Sequence, residues 1–195
     1  MLRTIERIKL LLTVVDLGQT KIGPVGHTLI QKLVYLLQAA KGVPLGYKFK
    51  LYYYGPYCKE LWGELNNLEE YGFVAIASKV GGWGYDISLT PKGREWLANE
   101  TDNTDEAAGK VSPNNDFRKE IEELLELLGG EPVRRLEALT TVHYIYSDWK
   151  RKGLGFSDDE NQKKLIESVK NLKPHLEEDE IELAYKTLEE KALLP

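Results

Sequence analysis

Phe73-Val74-Ala75-Ile76-Ala77-Ser78-Lys79-Val80-Gly81-Gly82-Trp83-Gly84-Tyr85-Asp86-Ile87-Ser88-Leu89 decides the fold. Two short runs rich in β-branched and aromatic residues flank a glycine-dense centre. The stretch reads as a strand over 73–79, a turn at Val80-Gly81-Gly82 and a second strand over 83–89. Thr90-Pro91 then caps a short helix over 91–98. Upstream, Leu61, Leu65 and Leu68 recur at helical spacing, with Tyr57 one turn before. Gly55-Pro56 starts this helix, with proline at the first helical position, where a missing N–H costs nothing; Tyr71-Gly72 ends it. Residues 47–54 alternate: Tyr47, Phe49, Leu51 and Tyr53 on one face, Lys48, Lys50, Tyr52 and Tyr54 on the other, as in a half-buried strand. Thr28-Leu29-Ile30-Gln31 is a capping box that opens a helix running to about Lys41. Ile5, Ile8, Leu11, Leu12 and Val15 place a first helix over 3–17, ended by Gly18. The order helix, helix, strand, helix, hairpin, helix is that of a winged helix-turn-helix.

Residues 99–113 hold one large apolar residue, Val111, and read as a linker. Beyond it the pattern is all-helical, with helices expected over 115–128, 132–152, 158–172 and 178–193. Ser157-Asp158-Asp159-Glu160 is a second capping box, and Pro174 separates the last two helices. The helix over 132–152 is apolar on several faces, which marks the centre of a bundle. The expected fold is a mostly helical α+β protein. A winged helix-turn-helix-like core (1–98) is followed by a linker (99–113) and an added C-terminal helical bundle (114–195) packed on the core.

Charge supports a division. The 195-residue chain has net charge −5, but residues 1–98 carry 12 basic and 8 acidic side chains, net +4, and the rest net −9. Eight of the 11 tyrosines also lie in the first half. The 42% hydrophobic content argues against wholesale disorder, and no apolar run is long enough to span a membrane. The N-terminal residues lack a signal-peptide pattern, and one cysteine makes no internal disulfide, so the cytoplasm is the expected compartment.

Gln31-Lys32-Leu33-Val34-Tyr35, then Tyr54-Gly55-Pro56-Tyr57, then Leu89-Thr90-Pro91-Lys92-Gly93 resemble, in order and spacing, the YwgA-like family. Leu136-Glu137-Ala138-Leu139-Thr140-Thr141-Val142-His143-Tyr144 is similar to a C-terminal segment of that family. The family in turn resembles the wider Panacea (SocA-like) antitoxin domain. The resemblance covers about residues 5–150. It implies a winged-helix-like core with an added helical part and binding to a protein partner, and it brings no catalytic residue. The last 45 residues match no family feature.

The candidate sites divide by chemistry. A DNA reading needs cations on the third helix and on the hairpin, because counterion release supplies most of the affinity. That helix offers Lys59 against Glu60, Glu64, Glu69 and Glu70, and the hairpin holds one cation, Lys79, and one anion, Asp86. Lys48 and Lys50, interleaved with Tyr52 and Tyr54, are the better nucleic-acid surface, although lysines on an edge strand also serve simply to block edge pairing. Gln31, Lys32 and Tyr35 share one helical turn. They either line a polar pocket closed by Tyr54 or Tyr57, or divide into a capping Gln31, a core Tyr35 and a solvated Lys32. Tyr54 and Tyr57 read equally as turn residues or as an exposed aromatic anchor.

Cys58 in a first helical turn, with His143 distant, lacks any oxyanion site and reads as a packed thiol. His27, His143 and His175 show no metal spacing. No catalytic residue, cofactor or metal is expected. The expected function is a non-enzymatic regulatory or interaction protein, antitoxin-like, that binds a protein partner. Its partner-binding residues are Lys32, Tyr35, Tyr54, Tyr57 and Trp83. The alternative is a DNA-binding transcription regulator using Lys48, Lys50, Lys59 and Lys79.

Overall fold

A computed structural model describes residues 2–79, 82–102, 117–154 and 158–195. Within them the chain is a mostly helical α+β protein. The elements are α1 (Thr4–Ile22), β1 (Val25–Gly26), α2 (His27–Ala39), β2 (Lys50–Tyr52), β3 (Gly55–Tyr57), α3 (Lys59–Glu70), β4 (Val74–Ser78), β5 (Tyr85–Leu89), α4 (Pro91–Asp102), α5 (Arg118–Leu128), α6 (Val133–Arg151), α7 (Asp158–Leu172) and α8 (Glu178–Glu190). One antiparallel sheet has the order β1-β5-β4, with Val25 opposite Ile87 and Ile76 opposite the same residue. The second sheet is the β2–β3 hairpin, in which Tyr52 pairs with Gly55 across the turn residues Tyr53 and Tyr54.

Two helices form the centre. Every residue of α2 from Leu29 to Leu37 is buried, as is every residue of α6 from Leu136 to His143. The two helices pack on each other, with α1 and α5 against α2, α8 against α6, and β3 against both. One apolar core runs through both halves of the chain, from Leu11, Leu12 and Leu36 to Leu124, Leu139 and Leu188. Each such leucine contributes about 1.5–3 kcal/mol by leaving water. A helix buried on all sides buries its polar residues too, and that creates the site described below.

Several local expectations are corrected. Gly18 does not end α1, which continues to Ile22. It is instead a contact glycine, because a Cβ there would lie 2.7 Å from Val25 Cγ2. The Thr28–Gln31 box does not form: Gly26 is the N-cap of α2, and Gln31 turns inward to the backbone of Cys58. Pro56 is not the first helical residue. It lies in β3, and α3 starts three residues later at Lys59 with Cys58 as N-cap. The strand expected over 47–54 shrinks to Lys50–Tyr52 because Tyr53 and Tyr54 form a turn, which leaves Tyr53 exposed. Trp83 precedes β5 rather than opening it. Helix α4 extends through Asp102, four residues into the stretch read as linker, while residues 103–113 and Ser157 lie outside the described residues.

Candidate functional site

The β2–β3 turn carries the largest cluster of exposed aromatic side chains among the described residues. Tyr52, Tyr53 and Tyr54 are 60%, 73% and 61% exposed. Their rings continue into a belt. Tyr52 lies 4.8 Å from Tyr53 and 5.8 Å from Tyr57, centroid to centroid. Tyr57 then lies 6.0 Å from His27, His27 4.2 Å from Trp62, and Trp62 5.5 Å from Tyr85. Beside the turn, between α6 and α7, opens a groove of about 420 Å³ lined by Leu51, Tyr144, Ile145, Trp149 and Leu172.

Three side chains hold the turn from below. Lys32 of α2, 2% exposed, donates from Nζ to Pro56 O at 2.7 Å. Gln31 donates to Cys58 O at 3.0 Å and accepts from Cys58 N–H at 2.9 Å, so it binds both backbone groups of the residue that follows the hairpin. Lys173, in the α7–α8 connection, donates to Tyr52 O at 2.5 Å and to Tyr53 O. Backbone carbonyls of an exposed turn normally face water. Here a buried ammonium takes their place.

Lys173 and His175 meet on one buried carboxylate. Glu137 of α6 has Oε1 2.9 Å from Lys173 Nζ, an ion pair without hydrogen-bond alignment, and Oε2 3.0 Å from His175 Nε2. Burial pushes Lys32 down to about 7; Glu137 opposes that shift and Lys173 adds to it. Burial, and then the charge of Lys32, lowers His27 to about 4. Gly55 closes the assembly at φ 86°. A Cβ on it would lie 2.9 Å from Thr140 Oγ1 and 3.2 Å from Thr141 Oγ1. Backbone conformation and space therefore both require glycine here.

A second polar seam lies alongside. His143 Nε2 is 3.0 Å from Leu193 O, a pure acceptor, so Nε2 carries the proton. Nδ1 therefore accepts from the Tyr35 hydroxyl at 2.8 Å. Burial lowers His143 to about 4, which keeps it neutral at ordinary pH.

The residues singled out from sequence are thus divided. Tyr54 is exposed, Tyr57 half-buried and Trp83 fully exposed, while Lys32 and Tyr35 are enclosed. A solvated Lys32 is corrected, because α6 and the hairpin cover the polar side of α2. Tyr54 and Tyr57 share the hairpin that Lys32 holds. Trp83 belongs to the other hairpin, beside a groove of about 230 Å³ that includes His27, Lys79 and Tyr85. Lys48, Lys50, Lys59 and Lys79 are all exposed, and Lys79 faces Asp86 at 3.4 Å. Glu64 of α3 accepts from Arg7 at 2.5 Å and from the Tyr47 hydroxyl at 2.6 Å. Cys58 is buried. No three potential metal ligands cluster among the described residues. Sequence reasoning missed Glu137 and Lys173. The available signal was one Glu inside the apolar run 136–145 and one Lys beside Pro174.

Comparison with known proteins adds a distant likeness. The chain is similar to "Uncharacterized protein YwgA" of Bacillus subtilis (strain 168), with 25% identity over 176 residues and 89% of each chain covered. No family model matches the chain. Among the described residues no helix is long and apolar enough to cross a membrane.

Proposed function

We propose that this chain is a non-enzymatic interaction protein whose Tyr52-Tyr53-Tyr54 turn docks a protein partner. One observation carries the reading: three consecutive exposed tyrosines sit on a turn fixed from below by Lys32, Gln31 and Lys173. Tyrosine is enriched at interface hot spots, and a rigid aromatic surface loses little freedom on binding. The neighbouring groove beside Leu51 adds Trp149 and Leu172 together with the polar Asp148, Ser168 and Asn171. Under this reading Lys32 acts from beneath the surface rather than on it.

We also read residues 1–98 as a winged-helix core. Support comes from the order α1, β1, α2, α3, β4, β5 and from β1 pairing with β5 in a three-stranded sheet. The β2–β3 hairpin is then an insertion between the second and third helices. We extend the YwgA likeness to the Panacea (SocA-like) antitoxin domain on the motifs quoted above, which makes an antitoxin-like role the working hypothesis. The compartment that fits is the cytoplasm, where a buried thiol stays reduced.

Capture of a partner with the wild-type protein and with Tyr53→Ala, Tyr54→Ala tests the reading. The variant should retain less than a tenth of the wild-type yield; equal yield overturns the site. The second reading, a DNA-binding transcription regulator, draws on the same order of elements. Against it, Glu60 and Glu70 are exposed on α3 beside a single cation, Lys59. Absence of duplex binding at low salt, where counterion release is strongest, eliminates it.

A further inference from the structure

Three ionisable groups under one surface turn are an unusual foundation. Lys32, Glu137 and Lys173 are all buried, and they come from α2, α6 and the α7–α8 connection. Replacing such a cluster with apolar residues is often neutral or stabilising. Packing alone therefore does not account for it. Lys32 and Lys173 donate to the carbonyls of Tyr52, Tyr53 and Pro56, and so to the segment that presents the tyrosines.

We infer that the Lys32–Glu137–Lys173 cluster is a proton-sensitive latch that holds the tyrosine turn in its binding shape. The inference rests on the turn being the partner surface. It adds how that surface is regulated and assigns Lys32, Glu137 and Lys173 as positioning residues. Latched, Lys32 is enclosed; unlatched, with the turn lifted, its ammonium meets water.

The groups around the latch decide the direction. From α2 come Lys32 itself and His27, neutral near pH 7 because burial lowers it. From α6 comes Glu137, with the hydroxyls of Thr140 and Thr141. From the α7–α8 connection come Lys173 and His175. From the hairpin come Tyr52 and Tyr57, with the Cys58 thiol next to them. When Lys32 is charged, the enclosed pair of ammoniums faces one carboxylate. When it is neutral, the charges of Lys173 and Glu137 balance, and the Lys32 amine still donates to Pro56. The latched state holds Lys32 near 7, well below the ordinary lysine value that it regains when solvated. The latch therefore tightens as pH rises from 7 toward the solvated value. It has no further pH dependence from Lys32 below 7.

Hydrogen exchange of the segment 50–58 in the full chain, expressed as protection factors from pH 6 to 9, tests this without a partner. The result is therefore independent of whether any partner docks. Wild-type protection is expected to rise above pH 7 by up to about tenfold per pH unit. Lys32→Met removes the titrating group and should flatten that rise. Lys173→Met should lower protection of 50–58 at least tenfold while leaving α1 unchanged, and Lys173→Arg should restore it. A wild-type profile that is flat above pH 7, or an unaltered rise in Lys32→Met, overturns the latch. If Lys173→Met does not fold, the Lys32→Met profile decides alone.

Discussion

Among the described residues two surface hairpins carry exposed aromatic side chains, and they are built differently. The β2–β3 turn displays three tyrosines and is fastened by buried side chains from one helix, α2, and from the α7–α8 connection. The β4–β5 hairpin carries the fully exposed Trp83; Gln19 and Arg94 hold its far end at Leu89, whereas toward the turn its polar side-chain contacts lie near the surface: Lys79 with Asp86 at 3.4 Å, and Glu69 accepting from Ile76 N–H at 2.8 Å. A surface aromatic gains binding value when its backbone is fixed beforehand, because less ordering remains to be done on docking. By that measure the tyrosine turn is the better-prepared surface for the proposed docking, and the other hairpin is a neighbour that supplies Tyr85 to the end of the belt.

The largest expected contrast is between the ion pairs. Glu137→Ala leaves Lys173 buried without a counter-charge and should lower stability by about 3–5 kcal/mol in urea denaturation. Asp86→Ala on the other hairpin should change it by less than about 1 kcal/mol. Next comes acid sensitivity at the seam between α2 and α6. His143 is neutral when folded and held at about 4, so the unfolded chain takes its proton first. His143 alone should therefore remove roughly 3 kcal/mol of stability as pH drops from 6.5 to 4, a share that His143→Gln abolishes while His27 keeps its own. Gly55→Ala should cost about 2–3 kcal/mol, the left-handed backbone and the contact with Thr140 together. Gly84→Ala, at φ 110° with open space around it, should cost only the backbone share of about 1–2 kcal/mol. Smallest is Tyr53→Ala, expected within about 0.5 kcal/mol of wild type in thermal unfolding. A larger loss there would mean that the tyrosine is structural rather than presented.

Much of the fold follows from periodicity. The four C-terminal helices are α5 to α8 with ends shifted by at most three residues, because α5 has a single apolar face, Ile121, Leu124, Leu125 and Leu128, and α6 a continuous apolar centre. The hairpin of β4 and β5 is equally plain from its glycines. What failed was local chemistry overridden by tertiary partners. Gln31 has the spacing of a capping residue, yet Cys58, 27 positions away, offers it two backbone groups. Pro56 has the look of a helix start, yet Leu51 pairs with it across a strand. The site was half visible. Lys32 and Tyr54 stood out by type and position, but Glu137 and Lys173 meet them only through the crossing of α2 and α6 and the return of the α7–α8 connection. No spacing within one segment encodes that meeting.

The most direct measurement is site-specific photo-cross-linking in the cells that produce the protein, with a benzophenone side chain at position 53 and, as control, at exposed Tyr71. The account predicts one discrete adduct with a second protein from position 53, lost in Tyr52→Ala, Tyr54→Ala, and none from position 71. Equal adducts from both positions, or none from position 53, would contradict it.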